Sequence, residues 1–132
     1  MEREQVSSGA PWEERVGYTR AVKLGEHIHV SGTTAIDDDG NVIGEGDVGK
    51  QATAAIEIIK TALEELDASL EDVVRTRMYL TDASDHEIVG DAHQAAFGDI
   101  RPASTMIEVS QLIDPSLLVE IEATAILARE DR

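Results

Sequence analysis

The sequence predicts an α+β fold in which one mixed β-sheet carries two α-helices on one face. Residues 48–66 repeat apolar side chains at the spacing of one helical face. Residues 18–33, 73–80, 101–109 and 118–123 instead alternate apolar and polar side chains, as half-buried strands do. Along the chain the elements follow the order β-β-α-β-α-β-β. A chain of 132 residues suits one core, so we expect residues 1–132 to form a single domain.

The N-terminal segment, residues 1–16, carries no clear periodicity. It is polar, and Gly9, Ala10 and Pro11 interrupt any regular pattern. Residues 4–7 are compatible with a short edge strand. We therefore expect the first persistent structure to begin near Tyr18.

A hairpin is predicted over residues 18–33. Two alternating runs, 18–24 and 27–33, flank Gly25-Glu26, and a glycine between two such runs is typical of a tight turn. The cluster DDDGN at residues 37–41 predicts a second turn, because Asp and Asn hydrogen-bond their own backbone and Gly adopts left-handed conformations. The chain is then expected to stay irregular as far as Asp47.

The most regular element is a helix over residues 48–66. Asp47 precedes it and can accept a hydrogen bond from a free amide of the first turn, as an N-cap residue does. The apolar positions that share one face are Val48, Ala52, Ala55, Ile56, Ile59, Leu63 and Leu66. The other face is charged, so the helix is expected to pack on the sheet with one side in solvent.

Residues 73–80 predict a strand that follows a turn at residues 69–72. Its alternation places Val74, Met78 and Leu80 on the core face. On the opposite face it places Arg75, Arg77 and Tyr79.

A second, shorter helix is predicted between Ser84 and Gly98. Ser84 with Glu87 matches a capping box at its start, and a glycine is a common helix terminator. Its apolar face comprises Ile88, Ala92 and Ala96.

Two further strands, over residues 101–109 and 118–123, complete the predicted sheet. Pro115 lies between them and prevents one continuous strand. The polar positions that alternate with the apolar ones are Ser104 and Glu108 in the first strand and Glu120 and Glu122 in the second. Residues 129–132 form a charged tail with no structural demand.

Two helices can cover only one side of such a sheet. The other side, which we call the bare face, carries Arg75, Arg77, Tyr79, Glu120 and Glu122. Closed homo-oligomers are common, and the chain offers no further element to cover this side. We therefore predict that identical subunits bury the bare face.

The composition argues against several classes of function. The chain has no cysteine, which rules out disulfides, thiolate metal sites and a cysteine nucleophile. Its net charge of -16 repels phosphate backbones, so we expect no nucleic-acid partner. The opening residues MEREQVSSG are charged where a signal peptide needs an apolar run, and no stretch is long enough to span a bilayer. We expect a cytoplasmic protein with no membrane partner.

We expect neither a cofactor nor a metal. His27 and His29 share a strand face, and His86 and His93 share a helix face, but neither pair has a third ligand at a familiar spacing. The aspartate run has its glycine at the wrong offset for a calcium loop, and no glycine-rich phosphate motif is present.

Several short motifs, in this order and spacing, resemble the RidA (YjgF/YER057c/UK114) family between about residues 18 and 125. They are Val30-Ser31-Gly32, Val73-Val74-Arg75-Thr76, Tyr79-Leu80-Thr81-Asp82, Pro102-Ala103 and Val119-Glu120-Ile121-Glu122-Ala123. The resemblance implies a chorismate-mutase-like (bacillus-type) fold and a homotrimer with ligand clefts between subunits. It also implies hydrolysis of reactive enamines and imines, such as 2-aminoacrylate, to 2-keto acids and ammonia.

The resemblance also implies roles for individual residues. Those that match the family are Tyr18 as the pocket tyrosine, Ser31 and Gly32 in the cleft loop, and Glu120 as the acid that places or activates the attacking water. Of these, Glu120 and Tyr18 are the predicted catalytic residues. Two positions differ and suggest a reshaped pocket: Thr33, where glutamine is usual, and His86, where an aromatic residue often stands.

The most important departure from the family is Ser104. Deaminating members carry arginine there, in a Pro-Ala-Arg-Ser run, to hold the substrate carboxylate, whereas this chain continues with Thr105 and Met106. A serine donates one hydrogen bond and supplies no charge, while a charge-assisted pair is about twice as strong as a neutral one. We expect these three residues to contact the ligand without a guanidinium.

Other arginines could replace the missing one. Arg20 lies two residues from Tyr18 and so on the same strand face, and Arg77 projects from the bare face. Arg101 is a third candidate. The alternative is that these arginines are solvated or bonded to surface acids.

Two further interpretations stay open beside hydrolysis of a small polar metabolite. Glu120 could be a strand carboxylate paired with Arg75 or Arg77, in a trimer that binds a metabolite or a partner without catalysis. Some relatives are described as endoribonucleases or translation inhibitors, a role against which the acidity argues.

Overall fold

The computed structural model describes residues 2–128, which form six strands, three α-helices and two short 3₁₀ helices. The strands are β1 (Arg3–Val6), β2 (Ala21–Leu24), β3 (His27–Thr33), β4 (Val73–Leu80), β5 (Ala103–Glu108) and β6 (Val119–Ile126). The α-helices are α1 (Pro11–Val16), α2 (Val48–Glu65) and α3 (His86–Phe97), and the 3₁₀ helices are Leu70–Asp72 and Ala83–Asp85. The predicted charged tail, residues 129–132, lies outside the described residues.

The strands form one mixed sheet in the order β1-β2-β3-β6-β4-β5. All neighbouring pairs are antiparallel except β4 and β5, which α3 connects as a parallel pair. The last strand, β6, lies between β3 and β4. The predicted α+β fold and element order are confirmed, with β1 and α1 preceding them, and β1 lies close to the edge strand expected at residues 4–7.

Helices α2 and α3 lie on the same face of the sheet, since their buried side chains join those of the strands in one core. The predicted buried face of α2 is confirmed, and its N-terminus begins as expected, with Asp47 Oδ1 accepting from the Lys50 amide at 3.0 Å. Within residues 2–128, no helix is both long and apolar enough to cross a bilayer.

Two β-bulges change which face some side chains occupy. In β4 the register shifts between Val73 and Arg75, so Val73 is buried whereas Val74 is 43% exposed. The prediction that Val74 faces the core is therefore wrong, because an extra residue in one strand turns its side chain outward. Arg75, Arg77 and Tyr79 do alternate with the buried positions of β4.

Helix α3 starts differently from the prediction. Asp82, rather than Ser84, accepts from the backbone: its Oδ1 receives the Ser84 amide at 2.9 Å at the start of the 3₁₀ helix Ala83–Asp85. The capping box of Ser84 and Glu87 is therefore not formed at the start of α3. The buried residues of α3 are Val89 and Phe97, while Ile88, expected in the core, is 50% exposed.

Helix α1 was not predicted, because Pro11 was interpreted as a breaker. Proline instead occupies the first helical turn, where its missing N–H would be unpaired in any case. Glu13 and Glu14 lie in the same turn, where carboxylates complement the helix dipole. Gly17 ends the helix at φ 93°, and its amide donates to the Glu13 carbonyl at 2.9 Å.

Candidate functional site

The bare face of the sheet is rich in polar side chains. Arg75, Tyr79, Glu120 and Glu122 are partly buried within one chain, and Arg77 is exposed. The Tyr79 hydroxyl donates to Glu122 Oε1 at 3.0 Å. Burial raises the pKa of Tyr79, and the bond to Glu122 raises it further. Tyr79 therefore keeps its proton and holds the Glu122 carboxylate in place.

A cavity of about 650 Å³ opens where β2 begins, β3 ends and β6 begins. The four residues that the sequence assigned to the family's pocket, Tyr18, Ser31, Gly32 and Glu120, all line it, together with Arg20. Its other lining residues are Ser8, Ala10, Trp12, Thr34, Ile36, Ile58, Ile113, Asp114, Leu117 and Glu122. Residues 8–20, residues 31–36, Ile58 of α2 and residues 113–122 thus contribute to one site.

Glu120 lies on the cavity wall against Gly32. An ideal Cβ built on Gly32 would overlap Glu120 Oε2 and lie 2.9 Å from its Cδ, so only glycine leaves room for this carboxylate. Burial raises the pKa of Glu120, the charge of Glu122 raises it further, and the charge of Arg20 opposes the rise. The Glu120 carboxyl group therefore gains and loses its proton at a pH closer to neutrality than an exposed glutamate does.

The ion pair from Glu120 to Arg75 or Arg77, considered as the structural alternative, is not formed. Among residues 2–128 the one ion pair within 4.0 Å joins Lys23 Nζ to Glu4 Oε2 at 3.7 Å. An acid that is half-buried and has no cation bonded to it is available for chemistry.

Arg20 is the cation nearest to this chemistry. Its Nη2 donates to the Gly32 carbonyl at 2.7 Å, and its Cζ lies 6.0 Å from the centre of the Tyr18 ring, close enough for a cation–π contact. Its Nε is buried without a hydrogen-bond partner. Arg20 thus fixes the backbone at Gly32 and has a further N–H with no bonded partner.

A bulge in β3 determines which side chains near Ser31 face the cavity. The register with β6 shifts between Val30 and Thr33, which places one extra residue there. Ser31 Oγ donates to the Thr19 carbonyl at 2.7 Å. Thr33, a predicted ligand contact, is fully buried on the core side, where its Oγ1 donates to the Ser31 carbonyl at 2.7 Å. Thr34, which was not predicted, lines the cavity instead.

The other predicted contacts do not line this cavity within one chain. Ser104 lies at the edge strand β5, where its Oγ accepts from Thr76 Oγ1 at 2.8 Å. Thr76 is buried and its Oγ1 lies 2.9 Å from His93 Nε2. Burial lowers the pKa of His93, so its ring is neutral near pH 7. Ser104 is thus held by a hydroxyl chain and has no charged neighbour bonded to it.

Thr105, Met106, His86 and Arg77 are also placed apart from the cavity. Thr105 Oγ1 accepts from Arg75 Nη2 at 2.7 Å, and Met106 packs against the core. His86 is exposed at the start of α3, with Nδ1 3.0 Å from the Ala83 carbonyl oxygen. Arg77 is exposed on the bare face. Within one chain, the predicted site residues are therefore not all gathered at the cavity.

Within the part of the chain that the structure describes, no three potential metal ligands cluster. His27 and His29 are exposed on β3. The aspartate run forms the predicted turn, since Asp37 Oδ1 accepts from the amides of Asp39 and Asn41 at 2.9 Å each.

Sequence reasoning missed one wall of the cavity, which Trp12 of α1 and the loop at residues 113–117 provide. The signal for α1 was present as Pro11 followed by two glutamates. The loop is held from α2 by the buried Gln51, whose Nε2 donates to the Ser116 carbonyl at 2.9 Å and whose Oε1 accepts from the Leu118 amide at 2.8 Å. No local pattern indicates a contact across this sequence distance.

Helix α1 is fastened to the preceding residues by the buried Glu13. Its Oε1 accepts from Ser7 Oγ at 2.9 Å, and its Oε2 accepts from both the amide and the hydroxyl of Ser8. Burial acts to raise the pKa of Glu13, but the hydrogen bonds from Ser8 and Ser7 and the charge of Arg20 outweigh it and hold the pKa below its ordinary value. The ionised carboxylate therefore positions Trp12 beside the cavity.

Replacing Glu13 with Gln should lower the free energy of unfolding by about 1–3 kcal/mol near neutral pH, because the amide cannot accept all these bonds. A depressed pKa contributes stability above the ordinary glutamate pKa, and that stability is lost as pH falls through the folded-state value. Urea denaturation at about pH 7 and about pH 3 should therefore show the difference shrinking at acid pH. Glu14→Gln, an exposed neighbour, is the control, and an equal loss in both variants would contradict the assignment.

Comparison with known proteins adds an independent observation. A sequence model of the family described as endoribonuclease L-PSP matches residues 10–127. An uncharacterised protein of Streptomyces coelicolor is 40% identical over 121 residues, which cover 92% of this chain and 90% of the relative. The 3-aminoacrylate deaminase RutC of Acinetobacter baylyi is 31% identical over 108 residues, which cover 82% of this chain and 85% of RutC.

Solved structures agree with the sequence matches. The crystal structure of Rv2704 from Mycobacterium tuberculosis, described as a member of the YjgF/YER057c/UK114 family, superposes with a TM-score of 0.87. The two chains are 47% identical, and the match covers 96% of this chain and 100% of that one.

Proposed function

The chain belongs to the RidA (YjgF/YER057c/UK114) family, and on that premise we propose that it hydrolyses an imine or enamine to a carbonyl compound and ammonia. The observation that carries the proposal is the Glu120 carboxyl group, which is half-buried, unpaired and raised in pKa on the wall of a cavity. The similarity to a 3-aminoacrylate deaminase supports the same reaction class.

The reaction needs a group that both accepts and returns a proton. Water adds its oxygen to the carbon of a protonated C=N bond, the π pair moves to nitrogen, and Glu120 takes the proton that the water loses. Glu120 then returns that proton to the amino nitrogen. As the C–N bond breaks and ammonia leaves, the carbonyl forms and the hydroxyl proton passes to the Glu120 carboxylate. An enamine first takes a proton on carbon, which the protonated Glu120 can supply.

The neighbours of Glu120 have positioning roles in this proposal. Arg20 binds the Gly32 carbonyl and so keeps the backbone against which the Glu120 carboxylate rests. The Tyr18 ring, with the Arg20 Cζ 6.0 Å from its centre, forms the adjacent wall. In this proposal the Tyr18 hydroxyl also donates to the developing carbinolamine, which is a catalytic role beyond positioning.

The proposed active assembly is a cytoplasmic homotrimer in which the bare faces meet. Polar and exposed apolar side chains on that face, including Leu24 at 42% and Ile107 at 47% exposure, would be covered there. Ser104, Thr105, Met106 and His86 of one subunit would then complete the cavity of the next. Light scattering should give a mass of three chains, and a well-behaved single-chain species would end this part of the proposal.

Ser104 limits the substrate range, because no charge replaces the family arginine there. Ser104→Arg should raise kcat/KM for imines that carry a carboxylate by about tenfold, as one charge-assisted bond would add roughly 1.4 kcal/mol. The matched substrates are the imines of alanine and of ethylamine, generated in situ by an amino-acid and an amine oxidase. An equal change in kcat/KM for both imines would show that the introduced guanidinium does not bind the substrate carboxylate.

The reaction itself is tested by ammonia release from imines and 2-aminoacrylate generated in situ, compared with hydrolysis in buffer alone. Acceleration that saturates with substrate supports the enzyme. Saturable binding without any acceleration supports the alternative, a trimer that binds a metabolite without turning it over, which Ser104 favours.

A third activity, cleavage of RNA, is suggested by the description of the matching family. The net charge of -16 opposes binding of a phosphate backbone. RNA cleavage that persists in a preparation freed of contaminating nuclease, and that is lost in Glu120→Gln, would overturn the proposed imine hydrolysis in favour of RNA cleavage.

A further inference from the structure

The cavity is larger than a three-carbon imine requires. Its volume of about 650 Å³ lies within the range of about 300–1,000 Å³ that sites for drug-sized ligands occupy. The polar groups of the proposed chemistry, Tyr18, Arg20 and Glu120, form one part of its wall. Within one chain, the rest of the cavity is open to a substituent on the reacting carbon, and the next subunit would border that space in the proposed trimer.

Much of that remaining wall is apolar. Trp12 of α1 and Ile113 of the loop before β6 are 49% and 81% exposed, and Ile36 and Leu117 lie with them around the cavity. Large apolar side chains exposed singly are ordinary, but their convergence at one concave site marks a surface that binds apolar material. An indole ring also offers a flat face on which another ring can stack.

The charges of the cavity select against an anionic ligand. Glu120, Glu122 and Asp114 line it, and Arg20 is the one cation among its lining residues. Hydrogen bonds from the side chain and the amide of Ser116 hold the pKa of Asp114 below its ordinary value, so it stays ionised. A carboxylate in this space would meet three carboxyl groups against one guanidinium, whereas a cationic C=N group would be attracted by that excess of acids.

We propose that this cavity takes an imine or enamine that carries an apolar, ring-sized group and no carboxylate, with the apolar group against Trp12 and the C=N group beside Glu120. The chemical identity of the substrate rests on the proposed hydrolysis, but the preference for a cationic head and an apolar body rests on the cavity alone. The two can therefore be tested separately.

Trp12 is the only tryptophan in the chain, so its fluorescence reports occupancy of the cavity directly. Three stable probes separate the two preferences: 2-phenylethylamine has ring and cation, 3-phenylpropanoate has the same ring and an anion, and ethylamine has the cation without the ring. We expect 2-phenylethylamine to quench the fluorescence saturably, with a Kd lower than that of either other probe by about tenfold or more.

Variants test where the ring lies, with binding measured by calorimetry. Trp12→Ala should weaken 2-phenylethylamine by about tenfold and leave ethylamine unchanged, and Trp12→Phe should restore most of the affinity. Val16→Ala, on the same helix and outside the cavity lining, is the matched control. Equal or tighter binding of 3-phenylpropanoate, equal binding of ethylamine, or no saturable binding of any probe would overturn the inference.

The outcomes also separate the inference from the proposed reaction. Selective binding of 2-phenylethylamine without hydrolysis of any imine would support the proposed ligand class and contradict the proposed enzymatic activity. Hydrolysis of 2-aminoacrylate together with no preference for ligands that carry a ring would support the proposed enzymatic activity and contradict the proposed ligand class.

Discussion

Glu120→Gln is expected to reduce ammonia release by about 10²- to 10⁴-fold, the range that a general acid–base group contributes. Glutamine has nearly the same shape as glutamate and still fits against Gly32, but it cannot take a proton from water or return one to nitrogen. The loss should therefore appear in kcat, with KM little changed, because the cavity keeps its form.

The pH dependence gives a second readout for Glu120. With a protonated imine as substrate, Glu120 must be ionised to accept a proton, so the wild-type rate should fall as pH drops through the pKa of Glu120, which burial and the charge of Glu122 have raised. That acid limb should disappear from the residual activity of Glu120→Gln. The same raised pKa makes ionised Glu120 unfavourable in the folded state. Glu120 therefore does not lower the free energy of unfolding below its unfolded-state pKa, and it lowers that free energy as pH rises through its folded-state pKa.

Glu64→Gln is the matched control for this experiment. Glu64 is an exposed glutamate on α2, so its replacement removes one charge without touching the cavity. Equal activity of Glu120→Gln and Glu64→Gln would show that Glu120 is not the group that transfers the proton.

Gly32→Ala is expected to lower activity by about 100-fold while the protein remains folded. The added methyl group would overlap Glu120 Oε2, and the flexible end of that side chain can move aside more easily than the backbone. Displacing a catalytic group by about 1 Å can reduce the rate by about 100-fold. The backbone of Gly32 lies outside the left-handed region, so alanine is otherwise tolerated there.

Gly90→Ala separates this effect from the general consequences of adding a methyl group. Gly90 lies in α3, and a Cβ there would meet nothing within 4 Å. Its replacement should leave the rate unchanged and raise helix stability by roughly 0.5–1 kcal/mol. Full activity in Gly32→Ala would show that the position of the Glu120 carboxylate against the bulge does not matter for turnover.

The resemblance to the family, rather than the pattern of strands, pointed to Tyr18, Ser31, Gly32 and Glu120 as pocket residues, and the structure shows why they meet. Tyr18 and Arg20 precede β2, Ser31 and Gly32 end β3, and Glu120 begins β6. Antiparallel pairing of β3 with β2 and β6 brings these ends together. The roles of Ser104 and its neighbours could not be placed in the same way, because one chain keeps them at the other edge of the sheet.

The sequence by itself determined the order of the main strands and helices, the buried face of α2 and the polar character of the bare face, because these follow from the repeat of side chains along each element. The tertiary structure decided which way Thr33 and Val74 point and that Trp12 and Ile113 flank Glu120. Both bulges depend on how β3 and β4 pair with β6, whose first residue, Val119, lies 39 positions after Leu80, the last residue of β4. Local periodicity fixes which residues alternate, but only pairing between distant strands fixes where that alternation slips by one residue.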